Sequence, residues 1–135
     1  MKKLILLAAL SVLLTACGGG DPHAGHAGHT GVGWAEPVKI DVQIDPAEPQ
    51  AGQPVTIKAK VTQAGEPVND AEEVVFEIWA EGAGDAEHDE VEGKLEGDGV
   101  YAVVQTFPEP GKYYIVPHVT ARTFHTMPTI EVNVR

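Results

Sequence analysis

From Pro37 onward, hydrophobic and polar positions alternate with a period of two. Val38, Ile40, Val42 and Ile44 take every second position, and after a turn across Pro46 to Pro54 the alternation resumes at Val55, Ile57, Ala59 and Val61. Successive side chains of an extended chain point to opposite faces, so each run reads as a half-buried strand. Gln63-Ala64-Gly65-Glu66-Pro67 is turn chemistry. Beyond it, Val74, Phe76 and Ile78 form a third strand with Trp79 on its opposite face, and Gly82-Ala83-Gly84-Asp85 ends it. A weaker fourth strand is expected over about His88 to Leu95, followed by a tight hairpin at Glu96-Gly97-Asp98-Gly99 into Val100 to Phe107. Pro108-Glu109-Pro110-Gly111 turns into a strand from Lys112 to Ala121, and Pro128 to Arg135 closes the chain on Ile130, Val132 and Val134. No segment shows helical periodicity. About seven short strands with regular turn signals in about 100 residues predict an all-β fold, an immunoglobulin-like antiparallel β-sandwich.

The first residues follow a different logic. Met1-Lys2-Lys3 is positively charged, Leu4 to Leu14 is an apolar run of 11 residues broken only by Ser11, and Thr15-Ala16 precedes Cys17. Such a run is too short to span a bilayer permanently and reads as an export signal over residues 1–16. Leu14-Thr15-Ala16-Cys17 resembles a bacterial lipobox, which implies diacylation of Cys17 after cleavage. Two acyl chains anchor stably where one is marginal. The expected location is the bacterial cell envelope, outside the cytoplasm and tethered to a lipid membrane.

The whole chain of 135 residues carries 9 Lys and Arg against 20 Asp and Glu, a net charge of −11. Loss of Lys2 and Lys3 with the signal leaves 7 cations against the same 20 acids, or −13. That sign excludes a nucleic-acid binder or a polybasic membrane-surface protein. Glu66 to Asp98 alone holds thirteen carboxylates against Lys94, which reads either as a solvated acidic face or as a cation-attracting surface. With a single cysteine, the chain has neither an internal disulfide framework nor a cysteine-based zinc cage.

Residues 17–36 read as a disordered tether, because seven glycines between positions 18 and 33 and almost no apolar content cannot offset backbone entropy. Within it His23-Ala24-Gly25-His26-Ala27-Gly28-His29 presents three imidazoles on a supple backbone, half of the chain's six histidines. Imidazole suits copper(II), zinc and nickel, so His23, His26 and His29 form an accessory metal-capturing set; the alternative is simple linker composition.

In the body, residues 37–135, the candidate ligands are His88, His118, His125 and Met127. His125 and Met127 stand at i and i+2, on one face of an extended chain. Imidazole plus thioether outside the cytoplasm favours copper, as Cu(I) or Cu(II), over zinc or calcium. His118 lies near the end of a strand whose return begins at about Pro128, and a hairpin there brings His118 and His125 to one end of the sandwich. His88 joins them only if the strand order allows. Each residue taken singly reads as an ordinary surface or packing residue; the tether histidines shift the balance towards a metal site. Catalysis is not expected: the mature chain has no serine, Cys17 is expected to be blocked, and no phosphate-binding Gly-Lys-Thr motif or organic-cofactor motif occurs.

The segments Gly65-Glu66-Pro67-Val68, Val75-Phe76-Glu77-Ile78-Trp79, Gly97-Asp98-Gly99-Val100-Tyr101, Pro110-Gly111-Lys112-Tyr113-Tyr114 and His118 to Pro128 together resemble the YtkA-like domain, a relative of FixH-type proteins. The likeness covers about residues 37–135, with the block from His118 to Pro128 the most specific part. The resemblance implies an extracytoplasmic lipoprotein with an immunoglobulin-like fold, linked to copper handling and terminal-oxidase maturation. It makes His88, His118, His125 and Met127 the expected copper ligands. Thr123-Phe124 stands where similar domains often carry Gly-Met, so a further thioether is missing here. The expected function is a copper metallochaperone or buffer that hands copper to a membrane-protein acceptor. The alternative is a non-metal envelope interaction module docking on a membrane complex.

Overall fold

The computed structural model describes residues 35–135; the expected signal segment, Cys17 and the tether histidines lie outside them. Ten strands run in the order β1 Lys39–Asp45, β2 Pro54–Gln63, β3 Glu66–Pro67, β4 Glu73–Ala80, β5 Asp89–Glu92, β6 Lys94–Gly97, β7 Val100–Thr106, β8 Gly111–Ala121, β9 Phe124–Thr126 and β10 Ile130–Val134. They make two antiparallel sheets. The first has the order β1-β2-β7-β6 with β3 beside β2, and the second β10-β8-β4-β5 with β9 beside β8. This is the strand arrangement of an immunoglobulin-like sandwich, in which the first, second, fourth and fifth main strands share one sheet.

The period-two pattern decides which side chains enter the core. Val55, Ile57, Ala59 and Val61 of β2 are fully buried, and Val74, Phe76 and Ile78 of β4 face them from the other sheet. Phe76 and Phe107 are the largest wholly buried side chains, each contributing about 1.5–3 kcal/mol by leaving water. No charged or polar residue is buried among the described residues.

Two expected elements differ. The single strand expected over His88 to Leu95 is two strands in different sheets, β5 and β6, joined by Gly93 alone. A Cβ on Gly93 would sit 2.9 Å from Phe76 Cε2 and 3.1 Å from Val74 Cγ1, so only glycine lets the chain cross this close to the core. The return from β8 also begins earlier than Pro128, because Arg122 and Thr123 form a two-residue loop with φ of 50° and 73° that feeds β9 at once. Positive φ at both loop positions is the signature of the type I′ hairpin; Asp98-Gly99 shows it too, at 52° and 73°.

Candidate metal centre

The candidate residues gather on the outer face of the second sheet. Because Val74, Phe76 and Ile78 point inward, Val75, Glu77 and Trp79 must point out. On β8 the same rule sends Tyr114, His118 and Thr120 outward while Tyr113, Ile115 and Val119 enter the core. Val75 pairs with His118 and Glu77 with Val116, so Glu77 and His118 are diagonal neighbours on one face. Ile78 pairs with Asp89, which sets His88, just before β5, beside Trp79.

Glu77 joins two of the histidines. His88 Nδ1 lies 2.6 Å from Glu77 Oε1, and His118 Nε2 lies 2.7 Å from Glu77 Oε2. The three side chains are 15 %, 27 % and 23 % exposed for His88, His118 and Glu77, enough shielding for these bonds to hold the rings. Hydrogen bonds from His88 and then His118 pull the Glu77 carboxyl below its ordinary range, outweighing partial burial, which acts the other way. Trp79 stacks on His88 with centroids 4.4 Å apart and planes 8° apart, and Tyr114 stacks on Trp79 at 5.6 Å.

His125 reaches the same face from β9. It pairs with Thr120, whose hydroxyl is 2.9 Å from His125 Nδ1 and makes a long 3.5 Å bond to Glu73 Oε2. The His118 and His125 rings lie 6.0 Å apart, tilted by 40°. A shallow depression of about 190 Å³ is lined by Glu73, Val75, Glu90, His118 and His125. The turn behind His125 is tied down by Arg122, which donates through Nη2 to Asp70 Oδ1 at 2.9 Å and through Nη1 to Gln63 Oε1 at 3.1 Å. The same guanidinium lowers the Asp70 carboxyl.

The edge of β8 is open beside His118. β10 pairs with Gly111 to Ile115 and β9 with Val119 to Ala121, leaving Val116, Pro117 and His118 without a strand partner on that side among the described residues. Glu81 N–H donates to the Lys112 carbonyl, so even-numbered residues of β8 direct their backbone groups to β4 and odd-numbered ones towards β9 and β10. Pro117 therefore lacks its N–H where the ladder is interrupted, the one kind of place a central strand tolerates proline. Across the gap the chain runs through Met127-Pro128-Thr129, and Met127 is 56 % exposed, one residue beyond Thr126, which pairs with Val119.

Among the described residues, no three His, Cys, Asp or Glu side chains converge tightly enough to hold a metal ion by themselves. His118 and His125 form a more open pair. With metal–nitrogen bonds of about 2.0–2.1 Å, two imidazoles on one ion place their centroids about 5–6 Å apart, and the His118–His125 separation of 6.0 Å is at the wide end of that span. Met127, one residue beyond the end of β9, is the thioether on the chain segment that carries His125. The structure thus brings His118 and His125 together, links His88 to His118 through Glu77, and leaves Met127 exposed at the rim. Glu77, Trp79 and Thr120 are the neighbours of these histidines that sequence reasoning did not single out. Larger depressions of about 420 and 580 Å³ lie on the outer face of the first sheet, lined by Lys58 and Glu96, which pair at 2.8 Å.

No curated protein sequence matches the chain. Among solved structures, an engineered protein superposes with a TM-score of 0.53 at 19 % identity over 72 % of this chain, which spans about a fifth (20 %) of that protein's length. The superoxide reductase (neelaredoxin) of Ignicoccus hospitalis aligns at a TM-score of 0.46 and 14 % identity, over 75 % of this chain and 82 % of its own. A chimeric titin Z1Z2 aligns at 0.40 and 20 % identity, over 75 % of this chain and 97 % of its own. These likenesses concern the fold alone. The family profile described as YtkA-like matches residues 33–118, taking in His88, Glu77 and His118 and stopping short of His125 and Met127. With most of its length matched from before β1 into β8, the chain belongs to the YtkA-like family.

Proposed function

We propose that this protein is a lipid-anchored copper-binding protein of the cell envelope, a buffer or chaperone rather than an enzyme. The observation that carries the reading is the pairing of His118 and His125 at 6.0 Å on an exposed sheet face, with His118 held from behind by a carboxylate. Metal-ligating histidines nearly always donate their second ring N–H to such a partner. In this reading copper is cargo. His118, His125 and Met127 take the ion, and His88 supports them through Glu77. The open coordination shell suits transfer, because an acceptor's ligands can enter before the first donors leave. His23, His26 and His29 capture Cu(II) on the tether and raise its local concentration near the sheet. Diacylated Cys17 keeps the protein at the membrane beside a membrane-protein acceptor, in terminal-oxidase maturation or in detoxification.

The test is competitive titration with Cu(I) and Cu(II) chelators, using the chain with His23, His26 and His29 replaced by alanine. Stoichiometric binding at sub-nanomolar affinity, beyond about 12 kcal/mol, lost on replacing His118, His125 and Met127, supports a site on the sheet. Full affinity in that triple variant sinks the ligand assignment. No competition in either oxidation state leaves metal capture to the tether and turns the acidic sheet face into a protein-interaction surface.

A further inference from the structure

We propose that Glu77 is a positioning residue that locks His88 and His118 in opposite tautomers, leaving His118 Nδ1 and His88 Nε2 as the free ring nitrogens. The inference deepens the copper reading and rests on it for its consequence, though its structural part stands on geometry alone.

An ionised carboxylate only accepts hydrogen bonds. Both ring nitrogens that face Glu77, His88 Nδ1 at 2.6 Å and His118 Nε2 at 2.7 Å, must therefore carry the proton. A neutral imidazole has one N–H, so the other nitrogen of each ring is the lone-pair donor. The arrangement is stiff for identifiable reasons. Glu77 stands on β4, which is bonded on one side to β8 and on the other to β5, so its backbone is fixed from both flanks. His88 is clamped by Trp79, whose ring lies 8° from parallel at 4.4 Å. His118 is fixed by its strand and by the same carboxylate.

Two consequences follow. His118 offers Nδ1, on the ring edge away from Glu77, to an ion shared with His125. His88 is assigned as a buttress of Glu77 instead of a fourth ligand, since Glu77 stands between its ring and that of His118, Trp79 covers one of its faces, and His125 lies beside His118.

The test uses the metal-free full chain, with the three tether histidines replaced by alanine, labelled with nitrogen-15. Long-range proton–nitrogen correlation at neutral pH should show neutral His88 protonated at Nδ1 and neutral His118 at Nε2; either ring in the reverse form overturns the proposal. In Glu77→Gln, a shape-preserving variant, one oxygen becomes an NH2 group that must face a ring lone pair, so one of the two rings should invert. Two unchanged rings in that variant also overturn it. Glu77→Ala removes both contacts and should weaken Cu(II) binding by about 10–100-fold against its parent. Equal affinity removes the positioning role. A parent chain that binds no copper sinks the copper reading and the ligating role of His118 with it, while the tautomers, read without metal, are decided separately.

Discussion

Trp79 lies flat against His88, the two rings 4.4 Å apart and 8° from parallel, with Tyr114 on the other flank of the indole. A large aromatic surface thereby shields one side of the histidine that grips Glu77. Trp79→Ala should lower unfolding stability by at least about 0.5–1.5 kcal/mol, the part of an aromatic contact that exceeds simple area burial. Urea melts of the variant and the parent measure it, and an unchanged midpoint would mean the stack is only a surface apposition.

Trp79 stands on the same sheet face as His118 and gives a probe for the proposed site. In a Trp34→Phe chain with His23, His26 and His29 replaced by alanine it is the only tryptophan, and Cu(II) bound between His118 and His125 should quench its emission. With His118 and His125 both replaced by alanine, the same titration should leave the emission steady. Equal quenching in both chains would place the ion elsewhere.

The Glu77 carboxyl gives a pH signature with a definite sign. Its folded value is lowered below the ordinary 4.5 by the bonds from His88 and His118, so between the two values the unfolded chain binds more protons than the native one. The stabilisation is fully present above the unfolded value and is lost as pH falls through the folded one. The stability difference between the parent and Glu77→Gln should shrink as pH falls below the ordinary carboxyl value of 4.5. A difference that grows as pH falls below 4.5 would contradict the ionised carboxylate.

Gly99 is a position where only glycine fits. Its φ is +73°, and an added Cβ would lie 2.4 Å from the Val61 carbonyl oxygen and 3.0 Å from Val68 N. Gly99→Ala combines left-handed strain with a backbone clash and should cost more than about 2 kcal/mol, whereas Gly97→Ala meets nothing within 4 Å and carries only the strain of its φ of +119°. Thermal melts should order the two variants accordingly.

Tyr101 pins the segment leading into β4. Its hydroxyl donates to the Val68 carbonyl at 3.1 Å and accepts from Ala71 N–H at 3.2 Å. Tyr101→Phe leaves both groups unmatched in a shielded place and should destabilise by about 1–3 kcal/mol. Faster amide exchange at Ala71 would localise the loss.

The alternation of side chains made much of the fold legible. A strand with one apolar face has one register parity, because a slip by one residue turns its whole hydrophobic set to water. Val55 to Val61 and Val74 to Ile78 are accordingly buried as the pattern implies, and Asp98-Gly99 makes the expected tight hairpin. His118 and His125 were legible as neighbours because a hairpin must join them, although Arg122 and Thr123 turn the chain sooner than glycine and proline signals suggested. Glu77 was not legible. It is one of thirteen carboxylates between Glu66 and Asp98, sits at an ordinary outward position between Phe76 and Ile78, and nothing local distinguishes it from Glu73 or Glu90.

The sequence by itself determined the main strands, which of their faces are apolar and where the imidazole and thioether groups stand along the chain, since these depend on neighbours a few residues away. Only the tertiary structure decided that β5 and β6 part at Gly93, that β4 lies between β5 and β8, and hence that one carboxylate meets His88 from one side and His118 from the other. The periodicity of a strand specifies its faces but not its partners; several strand orders bury the same apolar set, and a contact between residues 41 positions apart, such as Glu77 with His118, exists in only some of them.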